Sequence, residues 1–139
     1  MTSQKGFTII ELLVVIAIIA VLAGIVLVNV TSYINKGKDA AIKGNLATIM
    51  TNSAIHFDLN GNYNSPSFCT AVGYTVPEAA AIAAGSANLV EVCLASAFCS
   101  CGTLKTGTSQ TYCVDSTGYK KQTGTACSTR CPAGGACAN

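Results

Sequence analysis

The sequence predicts an α+β protein: one long N-terminal helix packed on a small antiparallel sheet, with the sheet in a disulfide-rich head. Three observations predict it. Residues 7–60 contain no proline and carry an aliphatic run followed by a repeat of three and four. Residues 61–139 are poor in large apolar side chains, rich in Gly, Ser, Thr and Ala, and hold all 8 cysteines. Within that second region, turn-forming residues separate short strand-like runs. Four segments follow: a polar leader (1–6), an apolar helical half (7–30), an amphipathic helical half (31–60) and the head (61–139).

The helix is read first from GFTIIELLVVIAIIAVLAGIVLV, residues 6–28, in which Glu11 is the one charged side chain. As a helix, residues 7–30 would be about 36 Å long at ~1.5 Å per residue, enough for a bilayer core of ~30 Å. Beyond it, Ile42, Leu46, Ile49, Met50, Ser53 and Phe57 recur at helical spacing, while Lys43, Thr48, Asn52 and His56 fall on other faces. Asn60-Gly61 is a stop, because both residues tolerate the left-handed conformation that ends helices. Gly24 and Gly37 are weak points within the rod.

In the head, Pro77-Glu78 and the alanines after it predict a short helix over 77–84 with proline in its first turn, ended by Gly85-Ser86. Strands are expected at 89–98, 110–114 and 119–122. The turn Asp115-Ser116-Thr117-Gly118 makes a hairpin of the last two. The tail, TACSTRCPAGGACAN, reads as a loop pinned by its cysteines.

Charge and cysteine usage narrow the function. Net charge is +2 with 10% charged residues, too weak for a nucleic-acid footprint. Lys105, Lys120, Lys121 and Arg130 are the candidates for such a patch, and solvated surface residues are the simpler reading. Cys69, Cys93, Cys99, Cys101, Cys113, Cys127, Cys131 and Cys137 are even in number and lie in a weakly hydrophobic region, which reads as disulfides of open connectivity. Each bridge is worth ~2–4 kcal/mol, which a small core needs. The spacings C-x-C and C-x₃-C are not zinc knuckles, so no metal and no cofactor are expected. No catalytic constellation is evident: His56 is a lone histidine on a helix flank, and Asp58 and Asp115 form no readable pair. Disulfides place the head outside the cytoplasm. The positive-inside rule points the other way, since Lys36, Lys38 and Lys43 follow the apolar run and Lys5 alone precedes it. The cysteines carry more weight, because charge bias tips insertion only slightly.

Glu11 needs an explanation, since an acid deep in a bilayer costs about 2.5–3.5 kcal/mol on insertion scales. If the chain were cut after Gly6, the new amine of Phe7 would lie about one helical turn from Glu11. An adjacent copy shifted along the axis would then bring its amine to this carboxylate, a pairing that sets register more reliably than stability.

The stretch KGFTIIELLVVIAIIAVLA resembles the N-terminal signal of type IV pilins and type II secretion pseudopilins: a short basic leader, Gly6, Phe7, Glu11 and an aliphatic helix. FDLNGNYNS and YCVDSTGYKK are similar to the helix exit and to the C-terminal hairpin of some members. The proline that many members carry within the helix is missing. The resemblance implies a lollipop fold, cleavage between Gly6 and Phe7 by a prepilin peptidase, N-methylation of Phe7, and an assembly salt bridge between Glu11 and the Phe7 amine. It implies a structural, non-enzymatic subunit whose partners are its own copies in a helical homopolymer, the peptidase/N-methyltransferase, an inner-membrane assembly platform and, before assembly, the membrane. The expected location is a single-pass membrane precursor with the head outside, then a pilus at the cell surface. The alternative is a pseudopilin of secretion or DNA uptake. Major secretion pseudopilins often hold calcium with acidic loop residues near the C-terminus, whereas Asp115 is the one acid after Glu91 here.

Overall fold

The computed structural model describes residues 6–87, 89–107 and 109–137; the expected leader residues 1–5, Lys5 among them, lie outside the described residues. The elements are α1 (Ile9–Asn60), α2 (Val72–Ala83), β1 (Val90–Cys93), β2 (Phe98–Thr103), β3 (Thr111–Asp115), β4 (Lys120–Thr123) and α3 (Cys127–Arg130), with a 3-10 turn at Phe68–Thr70 between α1 and α2. The class is α+β, as the sequence predicts. Contacts divide the chain into two units, Met1–Ile34 and Asn35–Asn139.

In the first unit the described large apolar side chains, from Phe7 to Ile34, are exposed. The helix there is long and apolar enough to cross a membrane by length and composition. The second unit holds the core. Ile42, Leu46 and Ile49 of α1 pack with Phe68, Tyr74, Phe98, Leu104 and Val114. Ser53 shares their buried stripe, whereas Phe57 stays partly exposed. Asp39 extends the stripe by one step toward the N-terminus and is buried too, a position the apolar pattern passes over.

The sheet is antiparallel throughout, in the order β1-β2-β3-β4. Its second strand departs from expectation. The sequence predicts a single strand over 89–98; the chain instead turns at residues 94–97, where the Leu94 N–H donates to the Ala97 carbonyl at 2.8 Å. β2 then continues as FCSCGT, with Cys101 opposite Val90 on one side and Cys113 on the other. The turn, Leu-Ala-Ser-Ala, lacks Gly, Pro, Asn and Asp, and Cys-Ser-Cys-Gly has little strand propensity. β2 is buried on both faces. Phe98 faces the aliphatic core, while Cys99 and Cys101, two residues apart, face a second core with Cys113, Cys127 and Cys131. The 115–118 turn forms as expected, with Gly118 at φ +86°.

α2 also departs from expectation. It begins at Val72, so Pro77 lies inside the helix. Proline has no N–H for the carbonyl four residues back, here that of Gly73. Asn52 of α1 supplies the donor: its Nδ2 lies 2.7 Å from the Gly73 oxygen. A residue with a side chain at 73 would press on Asn52, because an added Cβ would sit 3.3 Å from the Asn52 Cβ.

Candidate processing and assembly site

Gly6, Phe7 and Thr8 precede the first turn of α1 and are non-helical and exposed; Phe7 is 78% exposed. The Gly6–Phe7 peptide bond therefore lies in exposed, non-helical chain. A Cβ added at Gly6 would meet nothing within 4 Å. Among the described residues, packing does not require glycine at this position.

Glu11 is held by Thr8. One Glu11 oxygen, Oε2, accepts from both the Thr8 N–H and the Thr8 hydroxyl at 2.8 Å. The Glu11 N–H in turn donates to Thr8 Oγ1 at 3.3 Å. This is the reciprocal capping box that Ser/Thr-x-x-Glu makes at a helix start. It satisfies otherwise orphaned N–H groups and sets an anion at the positive end of the helix dipole. Sequence reasoning missed Thr8, although the spacing Thr8-Ile9-Ile10-Glu11 carries the pattern. Both hydrogen bonds from Thr8 fall on Oε2 of the Glu11 carboxylate.

The eight cysteines form four bridges: Cys69–Cys93, Cys99–Cys131, Cys101–Cys127 and Cys113–Cys137. Two of them join the C-x-C of β2 to the C-x₃-C of α3. Residues two apart on a strand are separated by about 6.7 Å and residues four apart on a helix by about 6 Å, so the two pairs match in spacing. The same match explains why residues 127–130, expected to be loop, form a helical turn.

Two buried carboxylates brace the head. Asp39 accepts from the Lys105 N–H, the Thr106 N–H and the Thr106 hydroxyl, tying α1 to the loop after β2. Burial would raise its carboxyl, but these donors and nearby Lys43 outweigh it and hold the group below the usual aspartate range. Asp115 Oδ1 accepts from the Thr117 N–H and hydroxyl and from the Tyr119 N–H. Its Oδ2 accepts from the Cys137 N–H at 2.8 Å. Asp115 thus binds the hairpin turn to the tail, and its oxygens are engaged within the chain.

Of the four basic candidates for a nucleic-acid patch, Arg130 is buried, donates to the Tyr119 hydroxyl and lies over the Tyr119 ring. Lys120 and Lys121 are adjacent on edge strand β4, so their side chains alternate in direction. The four do not form one basic face. His56 is half-buried, with Nε2 3.0 Å from the Pro66 carbonyl and its ring against Phe68. It pins the loop after α1.

Comparison with known proteins adds to this geometry. The model of the prokaryotic N-terminal methylation motif matches residues 1–27. Residues 1–27 carry that motif. Over 47 residues the chain is 51% identical to the type IV major alpha-pilin of Moraxella bovis and, equally, to its fimbrial protein Q. The similar segment covers 34% of this chain and 30% of each relative's length. No solved structure matches. The matched residues 1–27 include Gly6, Phe7, Thr8 and Glu11 together with most of the exposed apolar run of α1.

Proposed function

We propose that this chain is a type IV pilin subunit. In this reading it is cut between Gly6 and Phe7, methylated on the Phe7 nitrogen, and polymerised into a pilus on the cell surface. One observation carries the reading: a methylation motif over residues 1–27 includes the start of a helix whose described apolar side chains are exposed. Each Val, Leu or Ile side chain withdrawn from water is worth ~1.5–3 kcal/mol, so the run from Ile9 to Ile34 requires cover. A bilayer provides it before assembly, and the same helices of other copies provide it afterwards. Exchanging one apolar setting for another costs little, which permits a subunit to leave the membrane for a filament.

Glu11 then has two partners at two stages. In the single chain Thr8 holds it. In the filament the Phe7 amine of an adjacent copy approaches and fixes the axial stagger. Cleavage is needed first, because the peptide nitrogen of Phe7 in the precursor carries no positive charge. The cysteine-bridged head forms the outer surface. A pseudopilin uses the same helix. The hydrogen bonds of Asp115 favour the pilus reading, since that carboxylate is spent on binding the tail rather than left open for calcium.

Sheared surface filaments, examined by electron microscopy and identified by mass spectrometry, test the proposal. The expected result is long fibres whose main protein starts at methylated Phe7. A mature protein that retains residues 1–6 would overturn it, and short periplasm-spanning fibres alone would favour the pseudopilus.

A further inference from the structure

The start of the second unit carries an excess of positive charge. Residues 35–43 and the loop 104–106 docked on them hold four lysines, Lys36, Lys38, Lys43 and Lys105, against one acid, Asp39. Lys36, Asp39 and Lys43 are spaced by three and four residues and share one flank of α1. The Asp39 carboxylate is engaged inside the chain, on the Lys105 and Thr106 N–H groups and the Thr106 hydroxyl. Those bonds also bring Lys105 to the same flank. Its stem is placed as well: a Cβ added at Gly85 would sit 2.9 Å from Lys105 Cε and 3.1 Å from its Cδ, so the side chain crosses a residue that has none. Lys38 and Lys105 are exposed and Lys43 is half-buried. The other acids of the head lie elsewhere. Asp58 is near the far end of α1, Glu78 and Glu91 repel one another beside Tyr74, and Asp115 binds the tail.

We propose that Lys43 and Lys105, with Lys36 and Lys38, form a surface for the anionic headgroups of the membrane that holds the precursor. The sequence gives the partner its place: the second unit starts directly after Ile34, where the unit with the membrane-length helix ends. Lipid phosphates are the anions that a stretch following such a helix meets first, and their charge is complementary to the patch. Each lysine at an anionic surface strengthens attachment roughly fivefold, an effect that fades beyond a Debye length. With the head outside, these lysines meet the outer leaflet, which gives the charges that oppose the positive-inside rule a task on that side. The contact holds the head to the bilayer until the subunit leaves it. The inference rests on the membrane-held stage of the proposed function and not on polymerisation, so a pseudopilin would share it.

The full chain in lipid nanodiscs provides the test. One set of discs is phosphatidylcholine; the second is an equal mixture with phosphatidylglycerol. Lysines are acylated at low salt with a water-soluble succinimidyl ester, and the rate at each position is read by mass mapping. Lys120 and Lys121, exposed on β4 of the same head, are the internal reference. Lys43 and Lys105 should react roughly fivefold or more slowly in the anionic discs, while Lys120 and Lys121 react alike in both. Salt at about 1 M, where the Debye length is ~3 Å, should remove the difference. Lys105→Gln should return Lys43 toward its rate in neutral discs, and Lys43→Gln should do the same for Lys105. Inorganic phosphate added to the neutral discs should change nothing; equal slowing by it would assign the surface to a soluble anion and overturn the lipid as its ligand. Equal rates at Lys43 and Lys105 in both discs, or slowing of Lys120 and Lys121 to the same degree, would overturn the proposal and leave the membrane-held reading intact. A chain that leaves the discs would overturn that reading and the proposal with it.

Discussion

Asp39 shows how a single residue can tie the head together. It bonds to two backbone N–H groups and a hydroxyl in a loop far along the chain. Asp39→Asn should destabilise the head by about 2 kcal/mol, the scale of hydrogen bonds to a charged group. Because the folded carboxyl titrates below its unfolded value of about 3.9, its contribution is complete above that pH and is lost as pH falls through the folded value. Thermal melts from pH 5 downward should show a fall in the parent that the variant lacks; parallel curves would remove the assignment. Asn52 is a second case. Asn52→Leu leaves the Gly73 carbonyl without its donor, at a cost of about 1–3 kcal/mol, read as a lower denaturant midpoint. Asp39 was legible in principle, since it continues the 42–46–49–53 stripe. The pairing of Asn52 with Gly73 was not, because it depends on where α2 starts.

At the scale of elements, β2 carries the head. Its alternation sends Phe98 to one core and Cys99 and Cys101 to the other, so one strand joins an aliphatic layer to a sulfur layer. Gly102 belongs to this arrangement: a Cβ there would sit 2.7 Å from Ser86 Oγ and 3.3 Å from Leu46 Cδ1. Gly102→Ala should therefore cost about 1–3 kcal/mol through overpacking, measurable by urea unfolding. The bridge from β2 to α3 closes a separation of 26 residues, and Cys101→Ser/Cys127→Ser should cost ~2–4 kcal/mol. Melting at an unchanged temperature would show that α3 is held by something else. The amphipathic half of α1 and the 115–118 turn were readable from periodicity and turn chemistry. β2 was not, because burial on both faces and cysteine cross-links override the weak propensities of Ser, Cys and Gly.

For the molecule as a whole, the two units differ: the first is a helix with a capped start and exposed apolar side chains among its described residues, the second a cross-linked head. If Glu11 sets the stagger of subunits, Glu11→Ala should still be inserted and cleaved but yield few filaments. Western blotting of the processed protein beside counts of sheared fibres separates the steps; normal fibre yield would exclude that role. Thr8→Val removes the cap hydroxyl while leaving Glu11 charged, and a smaller loss of fibres is expected from it than from Glu11→Ala.

The sequence by itself determined the α+β class, the helical reach from the aliphatic run through the amphipathic stripe, and the methylation segment. These are written in local order: consecutive apolar residues, a repeat of three and four, and a short N-terminal motif. Only the tertiary structure decided which cysteines pair, that Pro77 sits within a helix, and that Asp39, Asp115 and Arg130 are interior groups. Those outcomes depend on which distant segments meet. A sulfur, a carbonyl or a carboxylate finds its partner only after the sheet has brought the tail, the hairpin and the helix together.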